Sequence, residues 1–356
     1  MRLSEYGWTP FFSQRFHGHA AKGLRAGRVV LEHRGIYHLQ AGEGEVRASL
    51  AGRFRHHAEK AEDRPAVGDW VAFRSRSTGG SASIHAVLPR RTKLSRKVAG
   101  SRTEEQVVAA NLDTVFLVMG LDGDFNLRRM ERLLTVAWES GAGPVIVLNK
   151  EDLAPHPLAR RTETETIAPG VPVVLVSGLK KRGLDQLLTY LSAGETAALV
   201  GSSGVGKSTL LNCLCGSEVM PTREVRIRDQ RGRHTTTHRQ LFKLPNGELI
   251  IDSPGVREIQ LWSRGETLHN TFEDIDALAT HCRFGDCSHQ GEPGCAVLSA
   301  VDEGSLSMER LHNFLSLQRE LRYLERRQDE GAQRAQKKKW KVIHRAMRRH
   351  KLDRGR

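Results

Sequence analysis

No apolar run in this chain of 356 residues approaches the ~20 residues that a membrane-spanning helix needs. The opening stretch, MRLSEYGWTPFFSQRF, also lacks a continuous apolar core of signal-peptide length. The expectation is a cytoplasmic protein without membrane association. Cysteine is scarce. Of five in all, Cys282, Cys287 and Cys295 crowd one short segment, and in a reducing compartment such crowding favours a metal over disulfides. Cys213 and Cys215 read as small packing residues. Acids are fewer than bases, 41 Asp+Glu against 55 Lys+Arg, which leaves a net charge of +14. A balance this basic implies a polyanionic partner, nucleic acid before any other. No internal repeat and no coiled-coil seam is present, so a monomer is expected.

What is present falls into successive zones. Residues 1–26 read as an N-terminal extension. From 27 to 92, short apolar runs (GRVVLEH, GIYHLQ, EVRASL, VGDWVAF, ASIHAVL) are broken by turn residues, the pattern of a small all-β barrel. An OB-like barrel is the economical choice at this length, with an SH3-like barrel left open. Residues 93–105 are basic and polar and read as a linker. From 106 to 265, buried strands alternate with helical spacing: LDTVFLVMG, then Leu127, Met130, Leu134, Ala137 and Trp138, then PVIVLN, VPVVLVS, Leu184 to Leu191, and AALV. That alternation predicts an α/β domain on a mostly parallel sheet. RQLFKL and ELIID flank Pro245-Asn246-Gly247, a hairpin signal. Residues 266–330 carry a Cys/His cluster and helical stretches. Residues 331–356 form a basic tail, in which eleven Lys/Arg stand between Arg334 and Arg356.

GSSGVGKS, residues Gly201, Ser202, Ser203, Gly204, Val205, Gly206, Lys207 and Ser208, fits G-x-x-x-x-G-K-[ST] between the strand AALV and the helical TLLNCL that starts at Thr209. Backbone N–H groups of such a loop wrap phosphates, and the helix N-terminus adds partial positive charge. Lys207 suits a bridge between β- and γ-phosphates, and Ser208 suits a Mg²⁺ ligand. In DSPG, Asp252 stands where an acid holds the Mg²⁺ hydration shell, and the Gly255 N–H where it would meet the γ-phosphate. Between them RGRHTTTH offers a threonine that ligates Mg²⁺ only with the γ-phosphate present. Thr236 is favoured by position, with Thr235 and Thr237 open. Many GTPases place a water-orienting glutamine just after D-x-x-G. Here that position is Val256, so the isolated enzyme is expected to be slow, and His234 is the candidate replacement.

NKED, at the end of PVIVL, supplies Asn149, Lys150 and Asp152. The carboxylate of Asp152 can accept both N1–H and N2–H of guanine, whereas adenine presents a lone pair at N1, so the site favours GTP and GDP over adenine nucleotides. The stem of Lys150 can cover the base, and Asn149 can brace the phosphate loop. Ser177, in VSG, could present its backbone N–H to the base oxygen. Alanine is usual where Gly178 stands. The base motifs precede the phosphate loop, the reverse of the ordinary order, with SAGET (192–196) as the short join. A complete but cyclically rotated set keeps its tertiary contacts if the old ends lie close together. Downstream, Cys282, Cys287, His289 and Cys295 form C-x4-C-x-H-x5-C, a closed tetrahedral donor set for one structural Zn²⁺.

Together these motifs resemble the RsgA (YjeQ) family of circularly permuted GTPases. The match runs from the barrel through SRKVAG, EQVVAANLDTVFLV, NKED, GSSGVGKSTLLN, GRHTTT and DSPGVRE to the zinc cluster. Ser253 stands where threonine is common, and the tail is less characteristic. The resemblance implies an OB-fold, a permuted GTPase domain and a zinc-binding domain. It also implies GTP hydrolysis in late maturation of the small (30S) ribosomal subunit, stimulated by that subunit. Contact with 16S rRNA, and none with DNA, is expected. The rival readings are a permuted GTPase serving large-subunit assembly and a zinc-containing RNA-binding protein that uses GTP only structurally.

Overall fold

The computed structural model describes residues 2–58, 60–75, 81–97, 105–220, 239–252 and 268–328. The chain divides into two compact units, one holding the barrel and the α/β domain, the other the helical C-terminal segment. His234 to Thr237, Gly255, Val256 and the basic tail lie outside the described residues.

In the first unit α1 (Pro10–Ala20) precedes five strands, β1 (Arg25–His33), β2 (Ile36–Ala41), β3 (Gly44–Leu50), β4 (Trp70–Arg74) and β5 (Ala82–Val87), with the short α2 (Gly52–His57) after β3. Pairing runs β1-β2-β3-β5-β4, and β4 returns to β1, so the sheet closes on itself as a five-stranded barrel. β3 and β5 pair in parallel and the other pairs are antiparallel. The five apolar runs supply the five barrel strands, and residues such as Val29, Leu39, Ala48, Val71, Phe73 and Ile84 are buried.

Residues 1–26 are not a loose extension. Pro10 opens α1, where its missing N–H costs nothing. The helix turns Phe12 inward, and Trp8 and Phe12 meet Trp70 of the barrel with ring centroids 4.7 and 5.9 Å apart. Phe12 and Trp70 are fully buried. The stretch read as a linker is also structured at both ends. β6 (Lys93–Lys97) and β7 (Glu105–Ala110) pair antiparallel, with Lys93 bonded to Glu105 at 2.6 Å. Cross-strand pairing of this kind offsets the polarity that makes the segment read as a linker.

The α/β domain follows as β8 (Thr114–Gly120), α3 (Leu127–Ser140), β9 (Gly143–Asn149), α4 (Pro157–Ile167), β10 (Val173–Leu175), α5 (Leu184–Leu188), β11 (Thr196–Val200), α6 (Lys207–Cys215), β12 (Arg239–Lys243) and β13 (Leu249–Asp252). Spatial order is β10-β9-β8-β11-β13-β12. The first five strands are parallel, and β12 is antiparallel to β13 across the predicted hairpin. β11 therefore lies between β8, the first strand of the domain, and β13, the last. That interleaving is the rotation read from the motif order. The SAGET join is tied down by a bond from the Gly194 N–H to the Gly247 carbonyl at 2.9 Å.

Barrel and α/β sheet are continuous: Leu31 of β1 pairs with Gln240 of β12, and Glu32 with Arg239. Arg28 reinforces the seam. Its side chain is 1% exposed and donates to the carbonyls of Tyr6, Gly68 and Asn111, one each from the N-terminal segment, the barrel and the start of the α/β domain. Burial lowers its pKa to about 10, so it stays charged at neutral pH.

The second unit comprises α7 (Leu268–Thr271), α8 (Glu273–Ala279), α9 (Ala296–Asp302) and α10 (Met308–Gln328) among the described residues. Its core gathers Phe272, Ile275, Val297, Leu311, Phe314 and Leu317. Buried Arg310 forks onto both oxygens of Asp274 at 2.7 and 2.8 Å and reaches the Thr271 carbonyl at 3.0 Å. Among the described residues no helix is long and apolar enough to cross a membrane.

Candidate guanine-nucleotide site and metal centre

Parallel strands deliver their following loops to one edge of a sheet, and ligands of such folds bind outside the carboxyl ends, where the strand order reverses. Here β11 and β8 diverge at that edge, and five segments gather there: the loop after β8, NKED after β9, VSG after β10, the phosphate loop after β11, and Asp252 ending β13.

Asn149 is the hub. It is 2% exposed. Its Nδ2 donates to the Val205 carbonyl at 2.8 Å, and its Oδ1 accepts from the Gly178 N–H at 3.0 Å. One side chain thus joins the base motif, the second base loop and the phosphate loop. Gly206 makes room for it: φ there is +96°, and a Cβ would stand 2.3 Å from Asn149 Nδ2. Gly178 in place of alanine also has a local reason, since a Cβ there would press Leu210 and Thr209 of α6 at 3.3 and 3.4 Å. Cys213, read as a packing residue, donates from Sγ to the Gly178 carbonyl at 3.1 Å and ties α6 to the same loop.

Lys207 begins α6 and folds back over its own loop, with Nζ 2.7 Å from the Gly201 carbonyl and 2.6 Å from that of Ser202. Its ammonium is therefore already at the mouth of the loop. Ser203, Gly204, Ser208 and Thr209 lie on the same loop and first helical turn. Asp252 is buried at the end of β13, in register with Leu199 two residues before Gly201.

Asp152 accepts a hydrogen bond from Ser177 Oγ at 2.5 Å. Ser177, expected to present its backbone N–H to the base, is also hydrogen-bonded within its own loop. Its backbone N–H donates to the Arg182 carbonyl at 3.1 Å, and Arg182 N–H returns to the Ser177 carbonyl at 3.0 Å. This bridge occupies the Ser177 amide, while the Ser177 hydroxyl meets the Asp152 carboxylate. Lys150 has φ +65° and places Nζ 2.5 Å from Asp122 Oδ2 in the loop after β8. Burial raises the Asp122 pKa, but the bonds from Lys150 and the Asp124 N–H outweigh it, and the net shift is downward. Arg129 of α3 donates to Asp124 and, at 2.9 Å, to Ser202 Oγ in the phosphate loop. Neither Asp122 nor Arg129 was flagged by a motif, because both act across the chain on motif residues.

The RsgA GTPase family model matches residues 87–262. The small ribosomal subunit biogenesis GTPase RsgA of Opitutus terrae is 46% identical over 365 residues, covering 100% of both chains. This chain belongs to the RsgA GTPase family. The RsgA of Syntrophotalea carbinolica, with the same printed description, is 43% identical and covers 100% of this chain and 99% of its own. Among solved structures, YjeQ from Thermotoga maritima is 29% identical with a TM-score of 0.62, covering 85% of this chain and 98% of that one.

In this RsgA-family chain the C-terminal unit holds the Cys/His cluster. Cys282, Cys287, His289 and Cys295 bring one ligand atom each to within 4.8 Å of one another. Cys282 Sγ lies 3.7 Å from His289 Nδ1 and 3.9 Å from Cys295 Sγ, and His289 Nδ1 lies 3.4 Å from Cys295 Sγ. A tetrahedral zinc with sulfur ligands near 2.3 Å would set sulfur–sulfur edges of about 3.8 Å. The donor set fits such an ion in chemistry and size. Burial lowers the His289 pKa, which favours the neutral imidazole a metal requires.

Proposed function

We propose that this chain hydrolyses GTP to GDP and phosphate during late maturation of the small (30S) ribosomal subunit, and that the subunit stimulates turnover through 16S rRNA contacts. The observation that carries the reading is the pair of hydrogen bonds made by the Asn149 side chain, which ties NKED to the loop after β10 and to the phosphate loop. The printed names of its relatives support the ribosomal role.

In this reading Asp152 accepts from the guanine N1–H and N2–H, the Lys150 stem covers the ring, and Ser177 holds Asp152 in place. Residues 201–209 cradle the phosphates. Lys207 leaves its loop carbonyls for the β- and γ-phosphates. Ser208 and Thr236 would hold Mg²⁺, Asp252 would face its waters, and the Gly255 N–H would meet the γ-phosphate. Bound Mg²⁺ would neutralise charge on the transferred phosphoryl group. Val256 offers no hydrogen bond to water, so His234 is the residue assigned to orient it in the subunit-stimulated reaction. One Zn²⁺ on Cys282, Cys287, His289 and Cys295 holds the C-terminal unit together. The chain works as a cytoplasmic monomer, and its charge of +14 suits an RNA surface.

The test is steady-state GTP turnover by the purified full chain alone, with small subunits and with large subunits. Stimulation by small subunits only is the expected result. Stimulation by large subunits only transfers the role to the other particle, and no turnover under any condition overturns the enzymatic reading.

A further inference from the structure

Between β8 and α3 runs LDGDFN, residues 121–126, a segment that matches no nucleotide motif. It nevertheless touches both halves of the candidate site. The Leu121 N–H bonds to the Asn149 carbonyl at 2.8 Å, in line with the β8–β9 register that sets Gly120 opposite Asn149. Asp122 receives the Asp124 N–H on Oδ1 at 3.2 Å and the Lys150 ammonium on Oδ2 at 2.5 Å. The turn packs closely: a Cβ at Gly120 would stand 2.6 Å from Asp122 Oδ1 and 3.6 Å from Lys150 Cδ. Asn126 caps α3 by accepting the Arg129 N–H at 3.0 Å, which fixes the far end of the loop.

We infer that Asp122 is a positioning residue for guanine binding, acting through Lys150. The inference rests on the nucleotide reading above and adds to it a residue no motif contains. A lysine stem is a poor platform when its ammonium is free, because four rotatable bonds let the methylenes leave the ring. Anchoring the ammonium at 2.5 Å fixes both ends of the stem, since the Lys150 backbone is held at φ +65° beside Asn149. Ordering of that kind before binding removes an entropy cost at the moment of binding. The pair is partly exposed, with side chains 22% and 32% accessible, so its value lies in geometry more than in Coulomb energy.

The role makes a specific prediction about which ligands respond. Stem coverage is blind to the exocyclic amine, so Asp122→Ala should weaken GDP and inosine diphosphate by the same factor. About tenfold in Kd is expected. Inorganic tripolyphosphate, which has no base, should compete as well against the variant as against the parent. Asp122→Glu, which keeps a carboxylate within reach, should recover most of the loss. Binding is measured by titration calorimetry on the full chain, with the thermal midpoint recorded for each variant. Unchanged GDP affinity in Asp122→Ala overturns the inference, as does equal weakening of tripolyphosphate, which would mark a general loss of the fold. A parent chain that fails to bind GDP instead overturns the functional reading, so the two failures are distinct.

Discussion

A single buried amide carries most of the site's organisation. Asn149 makes two hydrogen bonds to loops 29 and 56 residues away in sequence, and neither partner has water to fall back on. Asn149→Ala should therefore cost more than the net value of two ordinary bonds, because it leaves the Val205 carbonyl and the Gly178 N–H unpaired in the interior. About 2–4 kcal/mol of stability is expected, together with a loss of GDP affinity, since both loops lose their common brace. Urea denaturation and GDP titration on the same preparation check it. A variant with parental stability and affinity would show that the loops hold their places without the amide. The segments legible in sequence as motifs were those defined by spacing: Gly201 to Ser208, Asn149 to Asp152, and the Cys/His cluster at Cys282, Cys287, His289 and Cys295, whose ligand atoms the structure brings together. Those it could not reveal, Asp122, Arg129, Cys213 and Arg28, act through contacts between segments, and composition carries no record of such contacts. Ser177 shows a subtler limit, since spacing carries no sign of the backbone bridge that its amide makes with Arg182.

At the scale of elements, periodicity located the strands and the long helix well. The predicted helix around 127–139 is α3, Leu127–Ser140, and every apolar run from 27 to 87 became a barrel strand. Two segments escaped, for different reasons. α1 has little helical amphipathicity of its own, and its stability comes from Phe12 and the preceding Trp8 against Trp70, a residue some 60 positions later. β6, KLSRK, is polar and pairs with the more apolar β7, EQVVAA, close by in sequence, so its polarity rather than a distant partner hid it. If α1 is part of the barrel core, Phe12→Ala should destabilise the first unit by about 3–5 kcal/mol, the usual cost of emptying a fully buried phenyl site. A loose extension would lose nothing. Denaturation followed by tryptophan fluorescence reads it directly, because Trp8 and Trp70 report on the same cluster.

At the scale of the whole molecule, the rotated motif order and the observed sheet make one argument. Function depends on which strand ends meet, and β11 between β8 and β13 brings together loops that the chain visits in an unusual sequence. Chain order is thus free to vary, and here the residues of the Cys/His cluster, in the second unit, follow the last strand of the sheet in sequence. None of the residues proposed to hold nucleotide belongs to that second unit. Three short helices and the long α10 bury a modest core, and α8 and α9 flank the loop that carries the Cys/His cluster. A unit of this size commonly relies on its metal for folding. Removing zinc from the full chain with a chelator should therefore abolish the thermal transition of the helical unit and expose Cys282, Cys287 and Cys295 to a thiol reagent. GDP affinity should stay within about threefold of its starting value, a change under 1 kcal/mol. Calorimetric scanning, thiol counting and GDP titration before and after chelation, with zinc added back as the control, make the comparison. If GDP affinity instead falls in step with zinc loss, the metal unit is part of the nucleotide site's ground state, and the division of labour argued from the sheet does not hold.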